Sequence, residues 1–573
     1  MKRYYWMPVL CSLLFSLAAE AQYSRYIVRL KDKKGTAFSI SNPAAYLSAR
    51  ALARRTRYKI AIDSADLPIS TVYLDSLKSV PNVTILNISK WLNQVCIKTT
   101  DAAALAKINS FSFVINTNAV AVRLAQPMPA ASNKTDEFSQ SLLPVTANDF
   151  NTAFRMAGMA DAYNYGTNAG QVTIHEGEYL HNLGFHGEGM VIAVLDGGFF
   201  NYKNSIAFDS IRLQNQVLGE WDFVANEQSV NEDNSHGAMC LSVMAANRPG
   251  KMIGTAPKAK YWLFRTEDVN SEYPVEEENW VAAAEYADSA GVDMITSSLG
   301  YSDFDDHSFD HSYPQRNGTT AMISIGANIA VKKGILVTNS AGNSGNSAGD
   351  LKYVICPADA DSVLTVGATN VSGVMASFSS WGPNGAGKLK PNVVSVGQSA
   401  VVANPSTGEP AFANGTSFSN PNMCGLVACL WQAFPEFSNM DIINALQKSA
   451  SKYSNPDYRF GYGIPNMRLA YLDLQQQRAI KNQQTLLGNS WIKAYPVPFS
   501  SQLDVLIKAP LTGNSSLHLV DMNGRTVEIK NTPLQQGVMY TVNFDRVKSI
   551  SKGVYTIQYN DGKNKISLKV VKQ

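Results

Sequence analysis

The sequence predicts an α/β protein built around a mostly parallel sheet flanked by helices, with a small α+β unit before it and a β-sandwich module after it. Three observations carry that expectation. From about 152 to 487, short apolar runs of strand length alternate with segments of helical period, the pattern of a sheet covered on both faces. Ahead of this region, strand and helix patterns interleave in a stretch of a size that folds alone. Beyond Trp491, apolar and polar residues alternate between Gly/Asn turns, as in an antiparallel sandwich. At 573 residues the chain exceeds one ordinary core, so several domains are expected.

Taken in order, residues 1–21 read as a secretory signal. Lys2 and Arg3 supply the positive start, the run 6–18 is almost wholly apolar, and Ala19-Glu20-Ala21 fits small-x-small cleavage before Gln22. That run is shorter than the roughly 18 residues of a membrane span. The unit 22–124 carries strand patterns at 26–30, 83–86, 91–98 and 111–115, and helical patterns at 43–57 and 102–108. Residues 125–151 turn to Pro, Ser, Ala, Asn and Thr with weak periodicity. This is expected to be an exposed linker and a place for processing, an ordinary domain linker being the plainer alternative. In the region 152–487, strands are expected at 190–195, 260–264, 292–296, 335–338 and 362–367, with helices at 280–289 and 320–332. The module 491–573 carries five alternating runs, at 503–507, 516–520, 538–544, 553–559 and 566–571.

Composition narrows the function classes. The chain is 45% hydrophobic and 17% charged, and its formal charge of +3 gives no support for nucleic-acid or membrane-surface binding. Without the signal, five cysteines remain: Cys96, Cys240, Cys356, Cys424 and Cys429. That is too few for a disulfide-built fold, although export permits a bond or two, and Cys424 is expected to be buried on a helix. No zinc-like Cys pairing or His-Glu-x-x-His occurs.

The chemistry rests on three Gly-bracketed turns in the order Asp, His, Ser: Val194-Leu195-Asp196-Gly197, Ser235-His236-Gly237 and Gly415-Thr416-Ser417. A serine hydroxyl becomes a nucleophile when an imidazole takes its proton and a carboxylate steadies that imidazole. Asp196, His236 and Ser417 suit these roles. Each turn alone is commonplace, but the conjunction on suitable elements is not, and only 7 histidines occur. The residues after Ser417 are apolar enough for a buried helix, whose N-terminal dipoles would face developing negative charge. Pro421 then has to fall in the first turn. In the run Thr338-Asn339-Ser340-Ala341-Gly342-Asn343-Ser344-Gly345, which follows an apolar strand, one of the two asparagines is placed to donate to an oxyanion together with the Ser417 backbone N–H, turn geometry for both being the plainer use. Ser298-Leu299-Gly300 ends a strand and suits binding along an extended substrate backbone.

These segments, with Gly461-Tyr462-Gly463-Ile464-Pro465-Asn466, resemble the subtilisin-like serine protease family, the subtilases, over roughly 155–475, with five motifs in order. The resemblance implies a subtilisin-like fold, Asp196, His236 and Ser417 as triad, Asn343 as oxyanion donor, and hydrolysis of polypeptide substrates by a serine endopeptidase. Two departures stand near the triad. His236-Gly237-Ala238-Met239 replaces the usual His-Gly-Thr-His, and Phe418-Ser419-Asn420 stands where Met-Ala-x is usual. They keep open the alternative of a weakly active or inactive subtilase scaffold serving as a binding or adhesion protein. Residues 22–124 are similar to subtilase propeptides, which implies an intramolecular inhibitor and folding helper. The tail 491–573 is similar to the C-terminal sorting domain of the type IX secretion system of Bacteroidota, through Tyr495-Pro496-Val497-Pro498-Phe499, Val520-Asp521-Met522-Asn523-Gly524, Gly553-Val554-Tyr555 and Lys569-Val570-Val571-Lys572. It implies passage through the periplasm and the outer-membrane secretion machinery to a secreted or surface-attached state.

No cofactor is required for the chemistry. Asp303, Asp305, Asp306 and Asp310 offer hard oxygen ligands for a structural Ca²⁺ of the kind the resemblance allows, solvated loop carboxylates being the plainer reading. Glu276-Glu277-Glu278 opens an expected helix, where capping explains the charge.

Overall fold

The computed structural model describes residues 23–122, 142–144, 161–232 and 234–573, which fall into two compact units dividing at Tyr471/Leu472. The signal expected at 1–21 and most of the linker expected at 125–151 lie outside the described residues. Of that linker, Leu143–Pro144 forms an edge strand antiparallel to Pro410–Ala413.

The first unit opens with β1 (Tyr23–Leu30), α1 (Ala49–Arg57), β2 (Thr84–Ser89), β3 (Gln94–Lys98) and β4 (Val114–Val122). The strands make an antiparallel sheet in the order β2-β3-β1-β4. Strand alternation sends Tyr26, Val28 and Leu30 into a local core with Leu77, Val95 and Ile108. Ile27 and Cys96 face the other way and pack on Tyr273 and Val275 of the central region. The strand expected at 111–115 begins only at Val114. Phe111 and Phe113 precede it, stacked at 5.1 Å, with Tyr73 stacked on Phe113 at 4.2 Å.

The central region contributes β5 (Val191–Asp196), β6 (Val217–Asp222), α2 (His236–Ala245), β7 (Lys260–Arg265), α3 (Val275–Ala290), β8 (Met294–Ser297), α4 (Met322–Lys332), β9 (Leu336–Ser340), β10 (Leu364–Thr369), β11 (Val393–Val396) and α5 (Thr416–Ala433). The seven strands of its main sheet are all parallel, in the order β11-β10-β9-β8-β5-β7-β6. Val191, Ala193 and Leu195 of β5 join a core with Trp280 and Val281 of α3 and Ala327 of α4. The opposite parity, ending in Asp196, belongs to the other face, where α2 and α5 pack. The chain leaves β5 toward β7 and β6 first and then builds outward from β8 on the other side. The carboxyl end of β5 is therefore the switch point where such sheets place their sites.

The second unit has two antiparallel sheets. One joins Ile492–Tyr495, Leu503–Lys508 and Met539–Phe544; the other joins Thr526–Leu534, Gly513–Asp521, Gly553–Asn560 and Lys565–Lys572. Val505, Ile507 and Val542 of the first share a core with Leu517, Leu519 and Ile557 of the second, which is the expected sandwich.

Candidate active site

Asp196 is the last residue of β5, and His236 opens α2 with its backbone N–H bonded to Asn234 Oδ1 at 2.8 Å. A Cβ at Gly237 would lie 2.8 Å from Asp196 Cβ and 2.4 Å from the Gly198 carbonyl, so the glycine lets α2 close onto the strand end. His236 Nδ1 then lies 2.7 Å from Asp196 Oδ1, and both side chains are fully buried. A carboxylate only accepts, so the imidazole N–H is the donor and the tautomer is set. Burial opposes a positive charge on His236, but the adjoining Asp196 carboxylate outweighs it and holds the imidazole well above its ordinary pKa.

Ser417 is the second residue of α5. Its N–H belongs to the first turn, where helical N–H groups have no acceptor within the helix. Gly415 precedes the helix at φ +151°, a conformation that glycine tolerates. Pro421 stands sixth in α5, past the first turn where it was expected, and it cannot donate to the carbonyl four residues back. That carbonyl is Ser417's. It accepts instead from Ser298 Oγ at 2.9 Å and from the Cys240 thiol at 3.3 Å. Cys240 sits one helical turn after His236, with Sγ 3.8 Å from Nδ1, and thus touches both the imidazole and the serine residue. Burial pushes the Cys240 thiol up to about 11, which keeps it protonated and a donor. The Phe418 ring lies 5.9 Å from the His236 ring.

Asn343 Oδ1 accepts from the Thr416 N–H at 2.8 Å and from Thr416 Oγ1 at 2.9 Å. With its oxygen tied beside Ser417, the amide offers its NH₂ end as the remaining donor. Of the expected substrate-binding run, Ser298 turns its side chain to α5, and Leu299 is buried in the core with its carbonyl bonded to Asn339 Nδ2 at 2.9 Å. Gly300 leaves the strand end bare of side chain.

The acidic residues considered for a cation are not gathered. Asp303 accepts from Ser302 Oγ, Asp305 from the Glu272 N–H, Asp306 caps the turn at Ser308, and Asp310 accepts from the Phe304 N–H. Among the described residues, two sets bring three possible ligand atoms within 4.8 Å of one another: Asp196, His236 and Cys240, and the buried Glu267, Glu272 and Glu276. Of the helix-opening glutamates, Glu276 caps as expected, accepting from the Asp268 and Tyr273 N–H groups. Glu277 and Glu278 are buried instead, against His311 and Gln94. The bond or two that export allowed does not form, since Cys96, Cys240, Cys356, Cys424 and Cys429 are all free, buried thiols.

The sequence reading passed over Cys240 and Asn420. The i, i+4 spacing from His236 was an available signal for the first. Asn420, fully buried in α5, donates to Thr296 Oγ1 at 3.0 Å and to the Ser297 carbonyl at 2.9 Å, tying that helix to the end of β8.

Residues 187–463 match the Subtilase family, residues 25–137 the Peptidase S8 propeptide domain of Bacteroidota, and residues 493–573 the Secretion system C-terminal sorting domain. Subtilisin E of Bacillus subtilis (strain 168) and Subtilisin NAT of Bacillus subtilis subsp. natto are each 30% identical over 294 residues, covering 51% of this chain and 68% of theirs. Subtilisin of Bacillus pumilus is 29% identical over 51% of this chain and 94% of its own. Among solved structures, that of MycP1 from Mycobacterium smegmatis is similar at 20% identity and a TM-score of 0.43, over 55% of this chain and 86% of that one. The chain belongs to the subtilase family, with a propeptide domain ahead of the subtilase region and a sorting domain, for secretion to the cell surface or beyond, after it.

Proposed function

We propose that the chain is a serine endopeptidase acting on extended polypeptides through Asp196, His236 and Ser417. Ser417 Oγ attacks the scissile carbonyl carbon while His236 Nε2 takes its proton, and Asp196 holds the resulting imidazolium. The tetrahedral oxyanion is received by Asn343 Nδ2 and the Ser417 N–H. His236 returns the proton to the leaving amine, and the Ser417 ester is cleaved by water that His236 deprotonates. The substrate backbone lies along Ser298, Leu299 and Gly300, and no cofactor takes part in these steps. The observation that carries this reading is the buried 2.7 Å Asp196–His236 contact at the switch point, joined through Cys240 to the first turn of the serine helix.

On the same reading, the propeptide domain docks on α3 and α4 as an intramolecular inhibitor, linker cleavage frees the enzyme, and the tail engages outer-membrane secretion machinery. An alkyl fluorophosphonate tests the nucleophile. It should label the parent and fail to label S417A. Equal labelling of both would dismiss Ser417, and an unlabelled, well-folded parent would favour a scaffold that binds without turnover.

A further inference from the structure

One turn of helix beyond the proposed nucleophile, an amide is buried with acceptors gathered around its NH₂ end. Asn420 lies on α5, which packs on β8, β9, β10 and β11, and its side chain is fully buried there. Nδ2 reaches Thr296 Oγ1 at 3.0 Å, the Ser297 carbonyl at 2.9 Å and Ser298 Oγ at 3.4 Å. A carbonyl only accepts, so the orientation of the amide is settled. Its Oδ1 meets no donor among the described residues. Burying an amide with its oxygen unpaired opposes folding, and an apolar side chain would fill the same place at less cost. What Asn420 offers is its donor end.

The three acceptors are consecutive residues, the last two of β8 and the first beyond it. That strand end is also held from its other sides. Thr296 and Ser297 pair in parallel with Thr338 and Asn339 of β9. Thr338 Oγ1 donates to Thr296 Oγ1 at 3.0 Å, Asn339 Nδ2 to the Leu299 carbonyl at 2.9 Å, and Trp280 Nε1 of α3 to Ser297 Oγ at 3.0 Å. The sheet and α3 thus place the end of β8 without Asn420. The amide sets the spacing between that fixed end and α5.

Ser298 converts this spacing into a position for Ser417. Its buried hydroxyl donates to the Ser417 carbonyl at 2.9 Å, which leaves its lone pairs to accept from Asn420. Amide, hydroxyl and carbonyl form a chain that leaves α5 at Asn420 and returns to it at Ser417, and each bond in such a chain polarises the next. We propose that Asn420 is a positioning residue: by seating the Ser298 hydroxyl on the Ser417 carbonyl it fixes the first turn of α5, and with it the place from which Ser417 Oγ attacks. The proposal rests on Ser417 being the nucleophile. A misplacement of about 1 Å at a reacting group costs on the order of a hundredfold in rate.

The test uses the full chain as secreted and two readouts. An alkyl fluorophosphonate, which needs no substrate backbone, reports the reactivity of Ser417, and a chromogenic peptide reports kcat and KM. N420A should lower the labelling rate and kcat by about tenfold or more. KM should stay within about twofold, because β9 and α3 still hold Ser297 and Leu299. Since Asn420 acts through Ser298, the two positions should not add: S298A alone should slow labelling, and N420A on top of it should slow labelling by no more than about twofold further. If N420A melts below the assay temperature, N420S, which keeps a polar group but lacks the reach to β8, should show the same losses. A folded variant that labels at the parent rate would overturn the proposal. So would an equal loss in the parent and S298A backgrounds, the result of a merely structural contribution to α5. A folded parent that does not label at all would overturn the serine reading and this proposal with it.

Discussion

Asp288 joins the propeptide domain to the subtilase region, and its replacement by Asn tests how that joint is held. The residue is fully buried in the last turn of α3, where no basic residue of the helix itself balances it. Its carboxylate receives Arg54 and Arg55 of α1, the latter at 2.9 Å, and both guanidinium groups are almost wholly buried. Removing one partner from a buried ion pair costs about 3–5 kcal/mol. Here the arginines keep other acceptors: the carbonyls of Val292 and Lys333, and Asp66 at 2.8 Å from Arg55. Asn also retains the volume and one oxygen. The loss should therefore fall at the low end, about 3 kcal/mol, or roughly a hundredfold in the opening equilibrium of α1. The undocked state should not suffer, because a carboxylate near a helix C-terminus opposes the dipole and neutralising it is mildly favourable. Hydrogen exchange on the full chain, with S417A as background to prevent processing, reads this opening directly. D288N should accelerate amides of α1 about a hundredfold and leave those of α5 unchanged. Exchange in α1 that stays as slow as in the parent, or that rises equally throughout the central sheet, would refute a joint held by these charges.

Two further outcomes follow from the same geometry. D196N should lower kcat by on the order of 10,000-fold, and in an S417A background the His236 titration followed by NMR should fall, since burial is then opposed only by the neighbouring Cys240 and no longer by the carboxylate; an unmoved midpoint would detach Asp196 from the imidazole. Docking should also depend on pH: burial raises Glu285 to about 7 beneath Ser89, Lys90 and Trp91, and holds Glu278 well above the carboxylate range beneath Gln94. A carboxyl raised by docking takes up a proton as it docks, so this contribution is complete below the ordinary carboxylate pKa and fades as the pH rises through about 7. Gel filtration of chain nicked in the linker should show the propeptide domain retained at pH 5 and released more readily at pH 8, and the reverse order would contradict the assignment.

The three proposed catalytic residues stood out in the sequence because each is announced locally: Asp196 closes an apolar run, while His236 and Ser417 follow polar turns and open helices. The parallel sheet was legible for a similar reason, since β5, β7, β9 and β10 are short apolar runs set between helical periods. Strand β6 escaped because Val-Leu-Gly-Glu-Trp-Asp is a partly exposed edge with no clean alternation. The propeptide contacts escaped for another reason. Glu278 and Glu285 look like surface charges on an amphipathic helix until a second domain covers them, and no local pattern reports what covers a helix.

Pro421 marks where local reasoning stops. A proline deep in a helix reads as a fault, because it removes one donor and leaves a carbonyl unmatched. The unmatched carbonyl here belongs to the proposed nucleophile, and donors from two other elements, Ser298 after β8 and Cys240 on α2, take it up. An intact ladder would have bonded Ser417 only to its own helix. The gap instead binds it to the segment proposed to hold substrate and to the helix that carries the proposed base. Those three elements must then keep one relative position whenever the chain is folded, and such dependence on distant donors cannot be seen in Gly-Thr-Ser-Phe-Ser-Asn-Pro alone.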